Sequence, residues 1–111
     1  MTISFELDGQ EFVALNGGPH FKFTAAVSFV IHCTSQAEVD EFWEKLTADG
    51  GKPVQCGWLT DRFGLSWQVV PDLLLKLIKD PDPAKAKRVT EAMLKMIKLD
   101  VARLEAAAAA A

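Results

Sequence analysis

Apolar and polar residues alternate from the start of the chain. Ile3, Phe5 and Leu7 fall on one side of an extended segment, with Ser4 and Glu6 on the other. Asp8-Gly9 is a strong hairpin turn signal, and Glu11–Leu15 reads as the return strand. Asn16-Gly17-Gly18-Pro19 ends it and opens a loop through about Thr24. An isolated hairpin is marginal in water, so these two strands are expected to join a larger sheet.

Ala26–Cys33 gives the clearest strand. Val27, Phe29, Ile31 and Cys33 make its apolar face; Ser28, Val30 and His32 make a mixed one. Ser35-Gln36-Ala37-Glu38 then fits a capping box, with Ser35 at the N-cap. Val39, Phe42, Trp43 and Leu46 share a stripe of the helix that follows, and Gly50-Gly51 stops it. The expected partners of that stripe are Phe29, Ile31, Trp67 and Val69. A short strand is possible near Gly51–Val54.

Val54–Leu59 and Leu65–Val70 form a second hairpin around Asp61-Arg62-Phe63-Gly64, with Gly64 where a positive φ costs little. Leu65, Trp67 and Val69 point one way, Ser66, Gln68 and Val70 the other. One face wants a core; the other carries groups able to line a pocket. After Pro71 the pattern turns helical. Asp72–Lys79 is a short helix, broken by Asp80-Pro81-Asp82-Pro83. A second helix runs from about Ala84 to Lys98, with Val89, Met93, Met96 and Ile97 near one stripe. A third covers Asp100–Ala111 and ends in six alanines, the best helix formers.

Composition narrows the picture. The chain has 111 residues, half of them hydrophobic and 24% charged, so one folded domain is expected rather than disorder. The net charge is −3 and no basic cluster occurs, which argues against nucleic acid as a partner. No apolar run reaches the roughly 20 residues needed to span a bilayer, so no membrane role is expected. No secretory signal precedes the first strand, and a cytoplasmic location is the default expectation. Cys33 and Cys56 either pair or are two small buried hydrophobes; without CxxC spacing the second is the ordinary case.

The run Cys56-Gly57-Trp58…Asp61-Arg62-Phe63-Gly64-Leu65-Ser66-Trp67-Gln68 resembles the PhnB-like branch of the vicinal oxygen chelate (glyoxalase/bleomycin-resistance/dihydroxybiphenyl dioxygenase) superfamily, also known as the 3-demethylubiquinone-9 3-methyltransferase family. Asn16-Gly17-Gly18-Pro19, Phe42-Trp43-Glu44 and Asp80-Pro81-Asp82-Pro83 agree with it. The resemblance implies an α+β fold, a curled, antiparallel-rich mixed sheet of βαβββ modules with a C-terminal helical extension. On that reading 1–71 is the glyoxalase-like domain and 72–111 the extension. Residues 26–70 are a complete module, and 1–23 only the last strands of another. The strand and helix that would open the first module are lacking, so either the chain is a piece or a second copy supplies them. The resemblance and the open edges together imply a homodimer.

Metal-dependent members of the superfamily hold a divalent ion with a His near the start of a module's first strand and a Glu in its last. Carried across, those seats fall on Ser28 and Gln68, and on Val13 or Ala14 for the first module. Neutral oxygens hold a divalent cation far less well than imidazole and carboxylate, so no metal and no other cofactor is expected. The candidate cavity residues are Ser28, Val30, His32, Trp58, Ser66 and Gln68. His32 is a cavity group or general base on the functional reading and a strand-end histidine near solvent on the ordinary one. Trp58 is placed to stack on a planar ligand or to serve a core or dimer contact. His20, in a loop, is expected to be exposed, and Asp61 and Arg62 to form a solvated turn tip. Three functions stay open: a metal-free binder of a small, partly apolar molecule, an enzyme, or a dimeric interaction protein. The enzyme would be the methyltransferase of the family name or a metal-dependent lyase or dioxygenase. Gly17-Gly18 precedes a proline rather than a helix, so the residues lend methyl transfer no independent support.

Overall fold

A computed structural model describes residues 1–110. Two sheets form. The first is the hairpin β1 (Thr2–Leu7) and β2 (Gln10–Leu15), paired antiparallel with Phe5 opposite Phe12. The second has four strands: β3 (Ser28–Cys33), β4 (Lys52–Pro53), β5 (Trp58–Thr60) and β6 (Ser66–Pro71), in the order β3-β6-β5-β4. β3 and β6 run parallel, and the other pairs are antiparallel. Helix α1 (Gln36–Thr47) makes the crossover between β3 and the rest. The order from β3 to β6 is therefore the expected βαβββ unit.

The expectation that the hairpin joins the larger sheet is overturned. Its strands pair only with each other, and Ile3, Val13 and Leu15 stay exposed. It leans on the second sheet through aromatic rings instead. Phe5 stacks on Phe12, and Phe12 meets the edge of Phe29 at 5.7 Å. The molecule is elongated, 57 Å along its longest axis and 27 and 25 Å across.

α1 starts as its sequence demands. The Ser35 hydroxyl accepts from the Glu38 N–H at 3.2 Å. The return bond of the box is displaced by one residue: the Glu38 carboxylate takes the backbone N–H and hydroxyl of Thr34. Those bonds hold Glu38 below the usual carboxylate range. Val39, Trp43 and Leu46 pack on Ile31, Cys33, Leu59, Trp67 and Val69. Phe42, expected on that stripe, is instead 37% exposed and stays outside this cluster. Phe29 is drawn off as well, towards Phe12 and Trp67.

The extension forms α2 (Asp72–Ile78), α3 (Pro83–Leu94) and α4 (Val101–Ala109). Asp82 caps α3 and Asp100 caps α4. Ala111, the end of the third expected helix, lies outside the described residues. α3 stops four residues short of the expected Lys98. The segment beyond it is pulled onto the sheet: Met96 and Ile97 carbonyls accept from the Cys56 and Gly57 N–H groups, both at 2.8 Å. Met96 and Leu99 are buried there, while Ile97, expected on the helical stripe, is 56% exposed.

The extension shares one core with the sheet. Val70, Leu74, Val89, Met96, Leu99 and Leu104 cluster together. Gln36 of α1 ties in the far side, its amide donating to the Leu99 carbonyl and accepting from the Val101 N–H. The Lys98 ammonium sits 2.7 Å from Asp40 and holds that carboxyl below its usual range. Among the described residues no helix is long and apolar enough to cross a membrane.

Both cysteines are free. Cys33 is fully buried, and burial first, then Glu38 and Asp72, pushes its thiol up to about 11. Cys56 is half-buried. Ellman titration at neutral pH is therefore expected to find one reactive thiol in the native protein and two after unfolding. Two reactive thiols in the native protein would contradict this core.

Candidate functional site

Register lays the candidate residues out in rows. The β3–β6 pairing sets Ser28 beside Ser66, Val30 beside Gln68 and His32 beside Val70. The β5–β6 pairing sets Trp58 beside Gln68 and Thr60 beside Ser66. Alternate residues of a strand share a face. One face of the sheet thus carries the rows Ser28–Ser66–Thr60, Val30–Gln68–Trp58 and His32–Val70. The opposite face is the one α1 covers.

A cleft of about 400 Å³ opens on this face. Val30, His32, Trp58 and Gln68 line it, as do Cys56 and Val70. Its other wall comes from the extension, through Leu74, Leu75 and Ile78 of α2 and Met93 of α3. Four of the six expected cavity residues thus meet in one place. Ser28 stands one row away and reaches the cleft through Gln68, whose amide nitrogen donates to the Ser28 hydroxyl at 3.0 Å. Ser66 is buried, only 3% exposed, and does not line the cleft, because it sits in the row beyond Gln68.

Electrostatically the cleft is quiet. Among the described residues no Lys, Arg, Asp or Glu lines it. His32 is at the mouth, with its Nδ1 3.9 Å from the Asp72 carboxylate and both side chains about half exposed. That is a loose, water-screened pair, worth little. Among the described residues no group is hydrogen bonded to Oε1 of Gln68, which leaves that carbonyl as an open acceptor. Ser28 and Gln68, the two positions considered above as metal seats, hold a hydroxyl and an amide bonded to each other. Among the described residues no group of three His, Cys, Asp or Glu side chains comes together. The donor set does not fit a divalent ion.

Cys56 and the extension residues are what sequence reading misses. An isolated Gly inside a strand pattern often marks a bulge or close backbone approach, and Cys56-Gly57 carries that signal. Asp61 is misread too. It is not a solvated tip: Oδ1 accepts from the Phe63 and Leu65 N–H groups, and Oδ2 from the Trp67 indole N–H at 2.9 Å. Arg62 is exposed, over the Phe63 ring. His20 is exposed as expected.

A βαβββ unit with a helix on one face and a cleft on the other defines a glyoxalase-like α+β protein. The chain belongs to the 3-demethylubiquinone-9 3-methyltransferase family, whose model matches residues 1–70. Among solved structures it is similar to the PhnB protein from Bacillus cereus, at 31% identity and a TM-score of 0.58. That match covers 64% of this chain and 64% of the other, so the chain spans under two thirds of that relative. No curated relative matches.

Proposed function

We propose that the chain is a binding module for a small, neutral, partly apolar molecule, taken into the cleft without a metal ion. The observation that supports this most is the Val30–Gln68–Trp58 row: an apolar side chain, a free amide carbonyl and an indole side by side on the cleft floor. The volume is near the lower end of the roughly 300–1,000 Å³ typical of small-molecule sites. A guest with one hydroxyl or N–H donates to Gln68 and rests its apolar part against Trp58 and Val30. Para-alkylphenols are suitable probes. Calorimetry is expected to detect their binding, and Gln68→Leu to weaken it about tenfold, the cost of one lost hydrogen bond. One equivalent of tightly held zinc, nickel, manganese or iron in the purified protein would overturn the metal-free reading.

The family name implies a second reading, methyl transfer. Nothing at the cleft favours it, and a rise in melting temperature with S-adenosylmethionine but not with adenosine would revive it.

We further propose that the module works as a homodimer. The hairpin supports this, since Ile3, Phe5 and Leu7 share one face of it and stay exposed. Phe5, Phe12, Phe23 and Phe29 border a second hollow of about 540 Å³ beside it. Sedimentation should give twice the chain mass, and Ile3→Glu/Phe5→Glu the monomer. A monomeric wild-type protein at tens of micromolar rules the dimer out.

A further inference from the structure

The segment that matches the family ends at residue 70, yet Leu74, Leu75, Ile78 and Met93 of the cleft wall lie beyond it. We propose that the helical extension sets the ligand specificity of the cleft. Ile78 and Met93 limit how long an apolar group can be when its polar end is held at Gln68. This inference rests on the cleft being the binding site.

Three observations carry it. First, the wall is fixed relative to the floor. Leu74 is buried with Val70 and Val89, and Met96 and Ile97 are hydrogen bonded to Cys56 and Gly57. α2 and α3 therefore cannot slide over the sheet without breaking a core. Second, the wall residues divide by burial. Leu74 is 4% exposed and has its surface committed, whereas Ile78 keeps 37% and Met93 is half-buried. Leu75 is half-buried as well, so Leu75, Ile78 and Met93 have apolar surface left to give to a guest, and Ile78 has the most. Third, their chemistry is apolar, and one of them is methionine, an unbranched side chain that adapts to irregular shapes. Polar recognition comes from the sheet, and apolar length is measured by the extension.

The experiment is calorimetry of the whole chain with para-alkylphenols of rising length: ethyl, butyl, hexyl and octyl. Wild-type affinity should rise with length and then fall past a limit. Ile78→Ala and Met93→Ala should move that limit to a longer chain. Ile78→Trp should move it to a shorter one and weaken the best wild-type ligand roughly tenfold or more. Leu94→Ala, exposed on the same helix as Met93 and outside the cleft, should change nothing. Should a variant fail to fold by circular dichroism, Ile78→Val and Met93→Leu make the same comparison with milder changes and a smaller shift. A wild-type length limit that none of these substitutions moves overturns the specificity wall and leaves the binding site standing. No binding of any phenol by the wild-type protein overturns the cleft as a site, and this inference with it.

Discussion

Gly57→Ala should cost about 2–5 kcal/mol of stability, the sum of a backbone term and an overpacking term. Gly57 has φ +83°, a conformation that L side chains rarely adopt. A Cβ there would stand 2.9 Å from Cγ and Cδ1 of Leu99 and 3.1 Å from the Val69 carbonyl. Leu99 is fully buried, so it has nowhere to retreat. The backbone of Gly57 is engaged on both sides: its carbonyl accepts from Val69, and its N–H donates to Ile97. It joins the sheet, through Val69, to the segment that follows α3, through Ile97. Urea or thermal unfolding followed by circular dichroism measures the loss, which should lower the melting temperature by about 10 °C or more. Gly64→Ala separates the two terms. Gly64 has φ +87° with nothing within 4 Å of a new Cβ, so only the conformational cost of about 1–2 kcal/mol applies. Equal losses for the two substitutions would mean that the extension does not pack here.

How much of this was legible in the sequence depends on how far apart the deciding residues lie. The strands from Ile3 to Val70 show in their alternation, and α1 in its cap and stop, because those signals sit within a few residues of what they control. The mixed face of β3 and β6 was legible for the same reason, and with it Val30, His32 and Gln68. What covers that face was not. Val70 reads as one more residue of a pocket-lining face, and it becomes core only because Leu74, Val89, Leu99 and Leu104 arrive from further along the chain. The end of α3 was hidden likewise. Met96 and Ile97 continue a helical pattern, and only their bonds to Cys56 and Gly57 outweigh it. The hairpin shows the converse limit. Its pattern gives two good strands but does not say which edge, if any, receives them.

The turn between β5 and β6 gives the second large effect. Asp61→Ala should lower stability by about 3 kcal/mol, since three hydrogen bonds to one carboxylate go at once and such bonds are worth roughly 1.5–3 kcal/mol each before solvent replaces part of them. The Phe63 and Leu65 N–H groups are near the surface and recover water bonds. The Trp67 indole N–H does so poorly, because its ring lies between Phe29 and the α1 face. Most of the loss should therefore come from Trp67. Asp61→Asn tests this directly. Its amide oxygen can still accept from the two backbone groups, but its NH₂ then faces the indole N–H, donor against donor. An intermediate loss of about 1–2 kcal/mol is expected, with a change in tryptophan fluorescence. Trp67 and Gln68 are neighbours on one strand, so a displaced indole also shifts the amide on the opposite face. Asp61→Asn should accordingly weaken phenol binding although it lies outside the cleft. Wild-type stability in both variants would return Asp61 to the role of a solvated tip.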